Sequence, residues 1–248
     1  MPRVLYQFPI SHYCEKARWV LDYKGLGYRI HNQLPGPHVL PNLRRTGKRT
    51  VPLLVDGDAA ISGSHAIALY LEAQAGGPPL LPPSAAGRAE LEKLAHYFDD
   101  EVAPQVRRYA YGLILPRTEL FREVFFRDYG PLARAIGRAM AKPLGREIGR
   151  MYRVRAAPNQ ALDVVRTAAD RVEGMLRGGA RYLLDDQLSL ADITVASLLG
   201  PLVGPPRSPW PDDFDIPELR ALREELRSRP IGDYITAQYA ARPASTAA

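Results

Sequence analysis

Hydrophobic and polar positions change their rhythm along the chain near residue 75. Before that point, short apolar runs alternate with amphipathic ones. "RVLYQF" (residues 3–8) is an apolar run of strand length, ended by Pro9. Tyr13, Ala17, Val20 and Leu21 then recur at helical spacing. Ser11 stands where an N-cap belongs, and Gly25 where a glycine closes a helix. "GYRIHNQ" (27–33) predicts a second strand, and "VLPNLRRTG" (39–47) a short irregular helix or loop. "VPLLVDGDAAIS" (51–62) predicts two strands joined at Asp56-Gly57, a hairpin signal. A helix starting at Ser64 carries Ile67, Tyr70 and Leu71 on one face. The predicted order is β-α-β-α-β-β-α.

The stretch "QAGGPPLLPPSAAG" (74–87) breaks any regular element and reads as a linker. This divides the chain into a first domain (1–74), a linker (75–87) and an all-helical domain (88–241), with a flexible tail at 242–248. Amphipathic stretches cover 88–115, 119–141, 144–155, 159–178 and 189–199, and a final pair covers 217–227 and 230–241. The sharpest helix start is "SLADITVASLL" (189–199). Ser189 followed by Asp192 resembles a capping box with Asp in the place of Glu or Gln, and the apolar run after it implies a buried helix.

The composition of the 248 residues, 46% hydrophobic and 24% charged, is that of an ordinary globular protein. No apolar run approaches the roughly 20 residues that span a bilayer. The first residues lack an apolar leader, so a cytoplasmic protein without membrane attachment is expected. Cys14 is the single cysteine, which excludes an internal disulfide and a CxxC cycle. The net charge of +6 is spread among acids, and its densest cluster, "RRTGKR" (44–49), is short. That argues against nucleic acid and for a mild attraction of anionic small molecules. No zinc-type cluster, P-loop or dinucleotide fingerprint occurs, and no metal is expected.

The element order, the Pro-rich linker and four motifs in sequence resemble the cytosolic glutathione S-transferase superfamily, with a bacterial-type serine or cysteine site. "SHYCEKARWVL" is similar to that family's first helix, and "GKRTVPLLVDGD" to the segment with its cis-proline, here Pro52. "SHAIALYLE" is similar to the third helix, and "LSLADITVAS" to the buried capped helix. The resemblance implies a thioredoxin-like α/β first domain (βαβαββα), an all-α second domain, glutathione as co-substrate, and a homodimer.

It also implies roles for residues. Such a site favours the thiolate of glutathione, which a helix N-terminus and a hydroxyl donor can do. Ser11 fits both conditions, or it only caps the helix, worth roughly 1 kcal/mol. Cys14, one turn in on the apolar face, is a second candidate for direct chemistry or a core residue. Gln7 stands where tyrosine-type transferases carry their tyrosine, and His12 is expected to be exposed at the helix start. Val51, before Pro52, would pair with the cysteinyl unit like an added strand. Ser64 and His65 would hold the γ-glutamyl carboxylate at a helix N-terminus, or Ser64 is a plain cap. Lys48, Arg49 or His38 would hold the glycyl carboxylate. The chain departs from the family pattern at Gly63, where an acidic or amide residue is usual, a loss worth about 1 kcal/mol or more. Tyr109, Tyr111, Phe121, Phe125 and Tyr152 are candidates to line the electrophile site or to serve as core. The leading function is conjugation of glutathione to a small hydrophobic electrophile. A glutathione-dependent isomerase or dehalogenase, a Cys14 thiol oxidoreductase and a non-catalytic binding protein remain open.

Overall fold

The structure, a computed structural model, describes residues 3–74, 76–154, 158–210, 212 and 214–248. Its first part is a four-stranded sheet in the order β2-β1-β3-β4, built from β1 (Val4–Gln7), β2 (Arg29–Asn32), β3 (Leu53–Asp56) and β4 (Ala59–Ser62). β1 and β2 run parallel, which demands a crossover, and helix α1 (His12–Tyr23) supplies it. β3 pairs antiparallel with β1, Leu54 opposite Leu5, and turns tightly at Gly57 into β4. α2 (Val39–Thr46) is a regular two-turn helix, and α3 (Ser64–Ala73) follows β4. This is the predicted β-α-β-α-β-β-α order.

α1 closes as its sequence predicts. Gly25 has φ of 65°, and the N–H groups of Gly25 and Leu26 return to the carbonyls of Asp22 and Leu21. Ten of its twelve residues are buried, because the sheet and α3 cover one side and the helical part the other. Among those ten are four charged residues, Glu15, Lys16, Arg18 and Asp22, and each has an ionic partner.

The helical part follows. α4 (Ala85–His96), capped by Ser84, passes through a wide π turn (Tyr97–Val102) into α5 (Ala103–Ile114). In that turn the N–H of Ala103 bonds back five residues, to Phe98. Pro104 has no N–H to give in the same pattern to Asp99, whose carbonyl accepts from the Tyr13 hydroxyl at 2.6 Å instead. The stretch 119–141, expected as one helix, is two: α6 (Thr118–Phe126) and α7 (Pro131–Ala139). Pro131 sits in the first turn of α7 and holds Gly130 extended, at ψ of 163°. α8 (Ala141–Met151), α9 (Pro158–Met175), α10 (Leu190–Val203), α11 (Pro217–Arg227) and α12 (Pro230–Ala241) complete the chain.

The core is in two pieces. The larger joins β1, β3, α1 and α3 to α4, α5, α9, α10 and α12. All fourteen residues of α10 are buried, and its start is a true capping box: Asp192 takes the N–H of Ser189 at 2.8 Å. Asp192 also accepts the Tyr234 hydroxyl at 2.7 Å. The smaller cluster is made by α6 and α8, with Phe121, Phe125, Phe126 and Ile148 at its centre and Ile10 and Leu34 of the first part against it.

The linker is pinned: Leu80 is fully buried, and its backbone bonds Glu72 and Leu190. The tail 242–248, expected to be flexible, is docked. Ala247 pairs alongside Tyr28, and the N–H of Ala248 reaches the Tyr28 carbonyl at 2.9 Å. The physical reason lies at Arg242, which bonds both Glu15 and Asp22 and lies 5.2 Å from the Trp19 ring.

Burial pushes the Glu15 carboxyl up, but Arg18 and Arg242 more than offset it and leave it below the usual carboxylate range. Glu15 therefore contributes stability above pH ~4.3, its unfolded value, and loses it as the pH falls through the lower folded value. Arg242→Met leaves buried Asp22 without its cation and Glu15 with Arg18 alone, and should cost about 3 kcal/mol at pH 7 by urea unfolding. The gap to the unsubstituted protein should narrow as the pH drops below about 4.3; a pH-independent gap would contradict this assignment.

Candidate functional site

The loop from β1 into α1 has its carbonyls engaged one after another. Gln7 takes the N–H of Gln33 at 2.9 Å, and Phe8 that of Ser11 at 3.2 Å. Pro9 takes the Arg18 guanidinium at 3.1 Å, and Ile10 the Trp210 indole at 3.0 Å. Ser11 ends the loop as the N-cap of α1, extended at φ −77° and ψ 122°. Its Oγ accepts from the N–H of Cys14 at 3.4 Å, a long bond, and its hydroxyl is also within reach of the buried Cys14 thiol.

Across from it runs the segment before β3. The Val51–Pro52 peptide is cis. Asn42, fully buried in a reciprocal amide pair with Gln33 at 2.9 Å, also donates to the Thr50 carbonyl at 3.2 Å. The Pro52 carbonyl takes the N–H of Gly63 at 2.9 Å. Gly63, not Ser64, is the N-cap of α3, and Ser64 is its first residue, with no side-chain cap bond. The plain-cap reading of Ser64 is therefore overturned. Gly63 has φ of 102°, a conformation side-chain-bearing residues resist, which gives a backbone reason for glycine here.

The start of α3, the first turns of α1 and the π turn meet at Asp99. Its Oδ2 lies 2.7 Å from the buried Lys16 ammonium and 4.0 Å from His65 Nδ1. Its Oδ1 is buried without a hydrogen-bond partner, as is His65 Nδ1. The other nitrogen of His65 lies 3.0 Å from Glu92.

A cavity of about 540 Å³ lies between the first part and the helices. Ser11, Val51, His38 and Arg49 line one side, and Ile114, Phe125, Ile148 and Tyr152 the other. Of the five aromatic candidates, Tyr111, Phe125 and Tyr152 line it. Tyr109 and Phe121 do not; they border a separate open depression beside α8. Lys48 is exposed and outside the lining, whereas Arg49 and His38 belong to it. Ser64 and His65 lie outside this lining, at the Asp99 junction.

Three other residues resolve differently from one another. Gln7 is buried, and both ends of its amide are taken, by Asn32 at 3.0 Å and by Arg18. Cys14 is fully buried, and burial pushes its thiol up. His12, expected to be exposed, is only 6% exposed, because Tyr13, Ala103 and Arg107 close over it. Burial and then the Arg107 charge pull its pKa down to about 3.

Arg107 was not apparent from the sequence. It lines the cavity with its guanidinium 3.9 Å from the Tyr152 ring and 5.9 Å from that of Tyr13. Its only cue was helical spacing, four residues before Tyr111. Among the described residues, no group of three or more His, Cys, Asp or Glu is placed to hold a metal. Nor is any helix among them long and apolar enough to cross a membrane.

Two family models match the chain: the glutathione S-transferase N-terminal domain over residues 5–79 and the C-terminal domain over 133–230. Glutathione S-transferase 1 of Dianthus caryophyllus is 34% identical over 103 residues, 40% of this chain and 47% of that protein. The chain thus spans less than half the length of the first curated relatives it matches. A glutathione S-transferase of Rhodospirillum rubrum is 26% identical, with TM-score 0.55 over 94% of this chain and 91% of that one. The glutathione S-transferase CsGST63524 of Ceriporiopsis subvermispora, solved in complex with glutathione, has TM-score 0.66 at 18% identity, covering 98% of each chain. At that identity the likeness is one of fold.

The buried His12 makes a prediction of its own. With a folded value near 3 and an unfolded value near ~6.5, it binds its proton only in the unfolded state between those limits. Stability should therefore fall as the pH drops from about 6.5. By NMR, one of the five histidines, assigned through His12→Asn, should not titrate between about pH 5 and 8. Titration near 6.5 would mean that the ring reaches water.

Proposed function

The chain belongs to the glutathione S-transferase superfamily, and from that premise we propose that Ser11 activates the thiol of glutathione for attack on an electrophile held in the adjoining cavity. The observation that carries this reading is that Ser11, at the amino end of α1, and Val51, before the cis peptide, line one cavity. The helix end brings free N–H groups and partial positive charge to the sulfur. The Ser11 hydroxyl donates to it, which favours thiolate over thiol. The thiol proton leaves to solvent, and the sulfur bonds to the electrophilic carbon as the leaving group departs from that carbon with its bonding pair, chloride in the case of a chloroarene.

Glutathione is a peptide, and the backbone at Val51 supports pairing with its cysteinyl unit as an added strand. Its glycyl carboxylate is matched by Arg49 and His38 on the cavity wall better than by Lys48. Its γ-glutamyl end carries both a carboxylate and an ammonium. The start of α3, at Ser64 and His65, suits the carboxylate. The unpartnered oxygen of Asp99 suits the ammonium and stands in for the side chain that Gly63 lacks. The burial of Cys14 weighs against the oxidoreductase alternative.

Ser11→Ala should lower kcat/KM with glutathione and a chloronitrobenzene electrophile by about 100-fold, the scale of one lost donor to a developing anion. Cys14→Ala should leave it within about twofold, and Ser64→Ala should weaken glutathione binding in calorimetry by about tenfold. Full activity in a folded Ser11→Ala protein would remove the central role proposed here.

A further inference from the structure

The cavity carries a charge that an apolar electrophile does not need. Of its described lining residues, four are arginine (Arg49, Arg107, Arg127, Arg223) and one is acidic, Glu147. Glu147 faces a cation of its own helix, Arg150, at 3.1 Å. Arg223 is tied to Asp212 at 2.5 Å and to the Pro201 and Trp210 carbonyls. Arg49 is exposed on the Val51 side, where a glycyl carboxylate is expected.

Arg107 differs from these. It comes from α5 and lies between the first turn of α1 and Tyr152. Its guanidinium lies 3.9 Å from the Tyr152 ring, and its Nε is buried with no hydrogen-bond partner. No ion pair of Arg107 occurs among the described residues; its neighbours are rings, those of Tyr152 and Tyr13 and the buried His12. Arg107 is half-buried, and a ring face offsets only part of the cost of taking its Nε out of water. The remainder is recovered when a planar anion meets the guanidinium fork, which carboxylates match with two parallel bonds. Around it the wall is apolar, through Ile114, Phe125 and Ile148. A ligand that satisfies both features has a flat apolar body and one carboxylate.

We propose that the second substrate is an apolar, aromatic-sized electrophile bearing a carboxylate, and that Arg107 is the residue that binds that carboxylate. This rests on the glutathione reading above for the reaction but not for the binding. With the carboxylate on Arg107 and the apolar body against Phe125 and Ile148, the reacting carbon faces Ser11. Specificity then comes from charge, not from shape alone, because a neutral analogue leaves Arg107 without its partner.

The test uses isosteric pairs. Conjugation is measured with glutathione and either 4-chloro-3-nitrobenzoate or 4-chloro-3-nitrobenzamide. Binding is measured without glutathione, as quenching of tryptophan fluorescence by 4-nitrobenzoate or 4-nitrobenzamide, since Trp210 lines the cavity. The unsubstituted protein should prefer the anion by about 10- to 100-fold in both assays, the range of a charge-assisted bond. In Arg107→Met the preference should collapse toward one, and Arg107→Lys should restore part of it. Benzoate binding that depends on Arg107 without any conjugation would keep Arg107 as the carboxylate site and sink the glutathione reading. Equal handling of both members of each pair by the unsubstituted protein would overturn the proposal, and no variant is needed to see it. A preference that survives in folded Arg107→Met would also overturn it.

Discussion

The structure turns on the burial of one charged helix. α1 is enclosed on nearly every side, yet four of its buried residues carry charge. A charge in that setting is tolerated only when it is paired, and the partners come from every part of the chain. Lys16 reaches Asp99 of the π turn, Glu15 has Arg18 of its own helix, and Arg242 of the tail takes Glu15 and Asp22 together. These pairs fix α1 in rotation and depth. They thereby fix where Ser11 stands at its amino end.

The π turn shows how a backbone detail feeds this arrangement. A proline at 104 removes one donor, and the carbonyl of Asp99 becomes free to accept the Tyr13 hydroxyl. The same turn sets the Asp99 carboxylate between Lys16 and His65. One residue thus ties the first turns of α1 to the start of α3, the two helix ends that a peptide ligand would address. A buried carboxylate oxygen without a partner is costly. Its position between two helix starts is where a ligand ammonium would remove that cost.

Much of the fold was legible because its signals are local. Strand runs, the Ser11 cap, Gly25, the Asp56-Gly57 turn and the Ser189–Asp192 box each act within a few residues, and each forms as its chemistry demands. What escaped was non-local. Small polar residues at 242–248 look loose until Arg242 meets the Glu15 and Asp22 carboxylates from the far end of the chain. His12 reads as an exposed first-turn residue until Ala103 and Arg107 cover it. Ser64 looks like a cap, but the cap is Gly63, whose φ of 102° no composition rule announces. Aromatic spacing did not tell Tyr111 from Tyr109, because helix rotation against the first part decides which faces the cavity.

The two apolar clusters divide the labour of the site. The larger holds α1 and the sheet, and with them Ser11 and the cis peptide, so changes there disturb the whole fold. The smaller, in α6 and α8, touches the first part through Ile10 and Leu34 and supplies Phe125, Ile148 and Tyr152 to the cavity. A layer with its own apolar centre tolerates substitution without loosening the core beneath it. The Ser11 side of the cavity is thereby constrained, and the side lined by Phe125 and Ile148 is free to vary. Arg107 sits at the seam: its backbone belongs to α5, whose Val106 is in the larger core, while its guanidinium packs on Tyr152 of the smaller layer. A cation anchored in the rigid part and presented to the variable part is placed to set the charge of what enters, whatever shape the smaller apolar layer then selects.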